Sequence, residues 1–489
     1  MTKSVKTNLL LNTIYTISQV FFPLITFPYA SRIMGPTGIG QVNFYNSIIS
    51  YIILFTSLGI PMYAIREVAK VRCDIVKMNR TVMEIFLLSS FLTFWGYVAV
   101  AIISIFVPEV HSNVSLFLVL SSTLLFDAIG CNWFYAGIED FFYITIRGLA
   151  FKIISIFFLF YFVHDKQDLL LYGIYYILSS VGSNVFNFVR LRKYIHKENF
   201  IFSELRPFRH LRASLEIFAL NIITSIYLQL NTVMLGFYNG NEAVGLYSAA
   251  TKLMYVVLMI SNSLGPVIMP RVTNLIAEGK TDDFMKIIQK AYNFSYALTL
   301  PLSIGLFFVS PYAVRILCGT EFEPAITAAR IVSPIIFIVS FSGFMGTQTL
   351  YPMGKVKIII ACTAIGAAID LLINILLMLS LSFNAAAISY LGAETATSLS
   401  MYLIAHKMIP VKFINTDVIM YTISAIIMGA GLFLISFLHM GDIAQLITML
   451  IIGSAIYLGI LLWKRDKFAI EVLEVLKSNM LIKSFRFDH

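Results

Sequence analysis

An all-α polytopic membrane protein with about fourteen transmembrane helices is the fold class this sequence predicts. Three observations predict it. Of 489 residues, 58% are hydrophobic and only 12% charged, against about 25% charged in an ordinary soluble domain. Apolar runs of roughly 20 residues, the length that crosses the hydrocarbon core as a helix, recur from end to end with short polar breaks. The runs do not alternate: YVAVAIISIFV (97–107) and TISAIIMGAGLFLISFL (422–438) are continuously apolar, whereas a barrel strand would alternate over about ten residues.

The expected spans follow in chain order. The first, 8–30, comes after MTKSVK, and its apolar run continues without a short h-region or an A-x-A-like cleavage site, so an uncleaved helix is expected rather than a signal peptide. Spans at 42–62, 82–107, 114–136, 143–163 and 168–189 complete a first set. A second set lies at 214–238, 243–268, 291–310, 325–350, 358–379 and 384–405, and two more spans at 418–438 and 443–463. The domain organisation read from this is an N-terminal six-helix bundle (1–212), a second six-helix bundle (213–413), two additional helices (414–463) and a basic cytoplasmic tail (464–489).

Orientation follows from the loops, because Lys and Arg flanking the spans are retained on the cytoplasmic side. With the N-terminus inside, the outer segments hold only Arg32, Lys166 and Arg315, and the spans hold Lys152, Lys252 and Arg330. The other twenty-nine of the 35 Lys and Arg then fall inside, with Arg147 at a helix mouth counted among them. The net charge of +9 therefore reports topology and contact with an anionic inner leaflet rather than nucleic-acid binding. Cys73, Cys131, Cys318 and Cys362 show neither metal-ligand spacing nor a disulfide framework and are expected to be structural.

The chain also repeats itself. A shift of 205 places SLGIPMYAIR (57–66) on NSLGPVIMPR (262–271), so that Pro61 meets Pro266 and Arg66 meets Arg271, while Gly40 meets Gly245. Six spans return the chain to its starting side, so the halves are expected to be parallel repeats related by an axis along the membrane normal.

The expected outer loops are short, the longest being about 311–324, and carry no His-carboxylate or paired-acid constellation. The inner loops hold no GxxxxGK[ST], HExxH or Gly-rich phosphate loop. With prolines interrupting the spans (Pro23, Pro28, Pro61, Pro266, Pro301, Pro334), a transporter rather than an enzyme is expected. Two stretches then carry a resemblance. TISQVFFPLITFPYASRIMGPTGIGQVNFYNSIISYIILFTSLGIPMYAIREVAK (16–70) and AVGLYSAATKLMYVVLMISNSLGPVIMPRVTNL (243–275) resemble the two half-starts of the Wzx-type polysaccharide flippases of the MOP exporter superfamily. That resemblance implies a MATE/MOP-like pair of helix bundles in the bacterial inner membrane, with both termini cytoplasmic. It also implies outward movement of undecaprenyl-diphosphate-linked oligosaccharide repeat units by alternating access, with a polysaccharide polymerase and chain-length machinery as partners.

The candidate site residues come from polar faces within the spans. Ser248, Lys252, Tyr255, Met259 and Asn262 share a narrow arc of one helix. The neighbouring span gathers Asn221, Thr224, Ser225, Gln229, Asn231 and Thr232, and the first span aligns Asn8, Asn12, Tyr15, Gln19 and Thr26. Such faces are expected to line a wet cavity, because polar groups turned to lipid go unsatisfied. Lys252 is the first candidate for an anionic substrate, with Lys152, Arg147, Arg32, Asn221 and Asn262 extending the site. Snorkelling, or pairing with an intramembrane acid, is the competing role for Lys252. Asp127, Asp370 and Glu394 are candidates for coupling to protons or sodium ions, with structural hydrogen bonding as the alternative for each. No catalytic residue, resident metal or cofactor is expected. A multidrug antiporter of the same architecture, or a membrane polymerase or glycosyltransferase on the same lipid carrier, are the rival functions.

Overall fold

The computed structural model describes residues 5–470 apart from 197, 199–200, 263–264, 410, 439 and 467. The side chains of Asn8, Asn12, Thr224, Ser225 and two candidate site residues, Asn221 and Asn262, also lie outside the described residues. In chain order the helices are α1 (Val5–Ser57), α2 (Ile60–Val71), α3 (Ile75–Phe106), α4 (Pro108–His111), α5 (Val114–Gly130), α6 (Asn132–Gly137), α7 (Phe141–Phe162), α8 (Leu169–Ile177) and α9 (Asn184–Leu191). They continue as α10 (Leu211–Asn262), α11 (Gly265–Ala277), α12 (Thr281–Cys318), α13 (Ala325–Val332), α14 (Ile335–Gly343), α15 (Val356–Leu381), α16 (Phe383–Ala405), α17 (Thr416–Ile435) and α18 (Asp442–Trp463). Among the described residues, nine helices are long and apolar enough to cross a membrane, or eleven when each of two bent pairs is taken as one span.

The expected spans all fall on helix, and α1 and α10 carry two each. What divides each of these long helices is a glycine. Gly35 has φ 64° and ψ −178°, and Gly240 has φ 80° and ψ −177°, a backbone region that only glycine occupies without strain. The two lie 205 residues apart, the register in which the sequence repeats, and α2 and α11 begin 205 residues apart as well. Helix starts are set by side chains that accept an otherwise orphaned backbone N–H. Asp74 accepts from Lys77 N at 3.1 Å, Asn113 from Leu116 N at 3.1 Å and Asn415 from Val418 N at 3.0 Å.

The chain forms two compact units, residues 1–248 with 378–383, and residues 249–377 with 384–489. In the first, α2, α3 and α6 close over a core that includes Tyr63, Val68, Ile85, Leu88, Trp133 and Phe134. In the second, α11, α12 and α15 pack around Val272, Ile288, Phe344, Met345 and Cys362. Aromatic rings meet edge to face in both cores, as Phe134 does with Tyr135 and Tyr292 with Phe413, the arrangement their quadrupoles favour.

Within the first unit the backbone approaches itself most closely just after the dividing glycines. A Cβ on Gly40 would fall on the carbonyl oxygen of Asn241, and one on Gly245 on the carbonyl oxygen of Pro36. Neither obstacle is a side chain that can rotate away. Alanine at either position is expected to cost about 1–3 kcal/mol, the usual range for overpacking, read as a lower melting temperature of the purified protein. Gly305, whose Cβ would meet nothing within 4 Å, is the control: Gly305→Ala is expected to leave the melting temperature unchanged or raise it.

Candidate functional site

The first unit places two of the predicted cations on α7. The Lys152 side chain is 5% exposed near the middle of this helix, and its ammonium lies 5.5 Å from the centre of the Phe22 ring. A cation over a ring face is attracted by the quadrupole, but by far less than a carboxylate would supply. Arg147, expected at a helix mouth, lies near the start of α7. It lies more than one turn inside α7 and is 8% exposed.

A buried polar network receives Arg147. Its NH2 donates to Asn132 Oδ1 at 3.0 Å, and the same oxygen accepts from Asn187 Nδ2 at 2.9 Å. Asn132 Nδ2 in turn donates to Asn184 Oδ1 at 3.2 Å, and Asn187 Nδ2 also reaches Gly130 O, a carbonyl freed where α5 breaks at Cys131. The Arg147 guanidinium stands 5.6 Å from the Tyr143 ring. Its Nε and NH1 are buried with no hydrogen-bond partner among the described residues. A buried donor left unmatched costs about 1–3 kcal/mol, more when charged. An acceptor, above all an anionic one, would recover most of that cost.

The same network borders a cavity. A partly open cavity of about 90 Å³ is lined by residues that include Thr56, Ser57, Thr93, Asp127, Asn132 and Trp133. Asp127 opens onto this space from α5. Arg32 lies exposed on α1, where its NH1 donates to Pro28 O at 3.3 Å.

The second unit holds the other candidates. Lys252 is half-buried on α10, and one turn further Tyr255 shares a hydrogen bond with Tyr390 at 3.3 Å between hydroxyl oxygens. Tyr390 stands on α16, one turn before the half-buried Glu394. Asp370 on α15 is fully buried, and the Ser389 hydroxyl donates both to its carboxylate and, at 2.9 Å, to its backbone carbonyl. Lys252, Asp370 and Glu394 thus belong to the second unit, and Lys152, Arg147, Arg32 and Asp127 to the first.

Two features were absent from the sequence expectations. Asn132, Asn184 and Asn187 form the receptor for Arg147, and their only sequence signal is amides inside apolar stretches, two of them three residues apart in SNVFN (183–187). Glu84 is the second. It is wholly inaccessible, yet it bonds Arg80 Nε at 3.2 Å, Arg209 NH2 at 2.6 Å, His210 Nε2 at 3.0 Å and Arg206 N at 2.9 Å. Its signal was an acid four residues after Arg80, the spacing of a helical ion pair.

A family model described as polysaccharide biosynthesis protein matches residues 5–276, and a second, MatE, matches residues 217–376. A protein of Escherichia coli (strain K12) named putative O-antigen transporter is 23% identical over 337 residues, covering 68% of this chain and 80% of that protein. A Haloferax volcanii protein named probable low-salt glycan biosynthesis flippase Agl15 is 21% identical over 265 residues, 52% of this chain and 55% of that protein. In structure, the chain is similar to the lipid II flippase MurJ in an inward closed conformation, with a TM-score of 0.73 at 14% identity over 94% of this chain and 99% of that one. That likeness is one of fold. The chain belongs to the polysaccharide biosynthesis protein family, as a Wzx-type member of the MOP exporter superfamily.

Proposed function

We propose that this protein flips undecaprenyl-diphosphate-linked oligosaccharide repeat units from the inner to the outer leaflet of a bacterial inner membrane, by alternating access and without changing them chemically. The observation that carries the reading is the pair of buried cations on α7. Lys152 and Arg147 have no carboxylate partner among the described residues, and a cation inside a membrane protein is normally paired. A diphosphate supplies the missing charge and the missing acceptors together. Lys252 extends the same chemistry in the second unit, and Arg32, Asn221 and Asn262 remain proposed contributors. The names of the E. coli and H. volcanii relatives support glycan transport, and the basic loops support an orientation with both termini inside. An ion gradient of protons or sodium drives the cycle, with Asp127, Asp370 and Glu394 as the acids available to couple it. A polysaccharide polymerase and chain-length machinery would act on the product.

Reconstitution in vesicles tests this. A fluorescently labelled lipid-linked glycan is expected to change leaflet without changing mass. Glycan of altered mass would point to a transferase, and movement of organic cations in its place to a drug antiporter. In a strain lacking its own flippase, Lys252→Ala is expected to lose surface glycan at unchanged protein level, and Lys252→Arg to keep part of it, since the charge survives but the geometry differs. Normal surface glycan from the alanine variant would remove Lys252 from the site.

A further inference from the structure

The segment that joins α9 to α10 belongs to the first unit and is fixed against α3. Besides the bonds to Glu84, Arg80 NH2 donates to Glu204 O at 2.8 Å. Two 3-10 turns, Phe202–Glu204 and Pro207–His210, carry what faces outward. Ile201, Phe202 and Phe208 are each more than half exposed, and large apolar side chains gathered on a surface mark a contact with something other than water. Phe208 also rests edge to face on Phe91 of α3, the ring centres 5.3 Å apart. Phe91 lies on a face of α3 that continues at helical spacing through the exposed Phe94, Trp95, Ile102, Ile105 and Phe106. No charged residue follows Glu84 in α3, and residues 85–106 are enough to cross the hydrocarbon core. The charged first turns of α3 therefore stand among lipid headgroups, and Phe208 reaches the edge of the apolar layer.

Arginines interleave with these apolar side chains. From Arg190 to Glu216 the chain holds seven Lys and Arg against three Glu: Glu198, Glu204 and Glu216. The Arg206 side chain is exposed and has no partner among the described residues. Arg212 is almost fully exposed and meets Glu216 only at 3.7 Å. We infer that residues 201–212 form a seat for an anionic phospholipid of the leaflet on that side, with Phe202 and Phe208 among the upper acyl carbons and the Arg206 and Arg212 guanidinium groups on the headgroup phosphate. Guanidinium matches phosphate in charge and in its paired donors, and basic side chains alternating with apolar ones hold a segment in the interface of an anionic membrane. A protein partner fits less well, because the apolar surface is continuous with the lipid-facing side of a span. The Glu84 network holds the segment at this depth, so the seat exists before a lipid arrives. The inference does not rest on the transport reading.

The test titrates the purified full-length protein in detergent with phosphatidylglycerol or, separately, phosphatidylcholine, and reads the melting temperature. The wild type is expected to show a saturable rise at a lower concentration of phosphatidylglycerol than of phosphatidylcholine. The double variant Arg206→Gln with Arg212→Gln is expected to raise the half-maximal phosphatidylglycerol concentration at least fivefold, with the phosphatidylcholine response and the lipid-free melting temperature unchanged. Phe202→Ser is expected to weaken the response to both lipids. The control is Lys355→Gln with Lys357→Gln, which removes the same charge from exposed positions in the second unit and is expected to leave the midpoint where it is. Equal responses to the two lipids, a double arginine variant identical to wild type, or a control that shifts the midpoint as far as the arginine pair overturns the seat. No response to either lipid also overturns it and leaves the surface to a protein. If the double variant does not fold, Arg212→Gln alone decides, and an unchanged midpoint overturns the proposal.

Discussion

Glutamate in place of Lys152 is expected to abolish glycan movement in reconstituted vesicles, with a loss of at least about a hundredfold, equivalent to roughly 2.7 kcal/mol. The ammonium sits 5.5 Å over the Phe22 ring with its side chain 5% exposed. In so water-poor a place a unit charge acts on an anion far more strongly than in bulk water. Glutamate inverts that sign and repels phosphate. Lys152→Arg keeps the charge and is expected to retain measurable movement. Methionine separates function from packing, because replacing a buried charge with an apolar side chain of similar volume is often neutral or stabilising. The protein carrying Lys152→Met is therefore expected to melt at or above the wild-type temperature while losing movement. Wild-type flipping by that variant would show that Lys152 only fills space.

Removing the Glu84 side chain is expected to produce the largest loss of stability. Glu84 accepts from Arg80, Arg209, His210 and the Arg206 amide, and so pins the segment before α10 against α3. Alanine leaves the buried His210 imidazole and the Arg206 amide without their acceptor, each costing about 1–3 kcal/mol, while the guanidinium groups of Arg80 and Arg209, 38% and 47% exposed, turn to water. Glu84→Gln keeps the shape and is expected to cost less. A fall in melting temperature of only a degree or so in Glu84→Ala would show the network to be solvent-screened. His210 adds a pH dependence. Burial pushes its imidazole below the ordinary value of 6.5, partly offset by Glu84, while Tyr63 holds its other nitrogen at 2.7 Å. A base whose folded pKa is depressed is bound by protons more readily in the unfolded chain, so its stability contribution is intact above 6.5 and lost as pH falls below it. Melting temperature is expected to drop between about pH 7 and pH 5.5, and His210→Gln to flatten that slope.

Membrane residence, helical class and the repeat were legible because they depend on local quantities. Continuous apolar runs admit no alternating strand, and a span needs only length and hydropathy. Even the two glycines that divide α1 and α10 stand in the register of the repeat, because the backbone region at Gly35 and Gly240 is closed to other residues. Polar stripes were legible as stripes, since i, i+3 and i+4 neighbours share a face whatever surrounds them.

What the sequence by itself determined, then, is that this chain is a bundle of membrane-spanning helices in two related halves, with charges placed where lipid would not tolerate them. Tertiary structure alone decided what each charge meets. Arg147, expected at a helix mouth, is buried against Asn132, fifteen residues away in sequence. Asp370 is held by Ser389, nineteen residues away, and Glu84 by His210, 126 residues away. Asp127, a candidate alongside Asp370 in the sequence, opens onto a cavity. The physical reason is that burying a charge depends on which partners arrive from other helices and on whether space is left for a ligand. Neither is a property of the residue or of its neighbours along the chain.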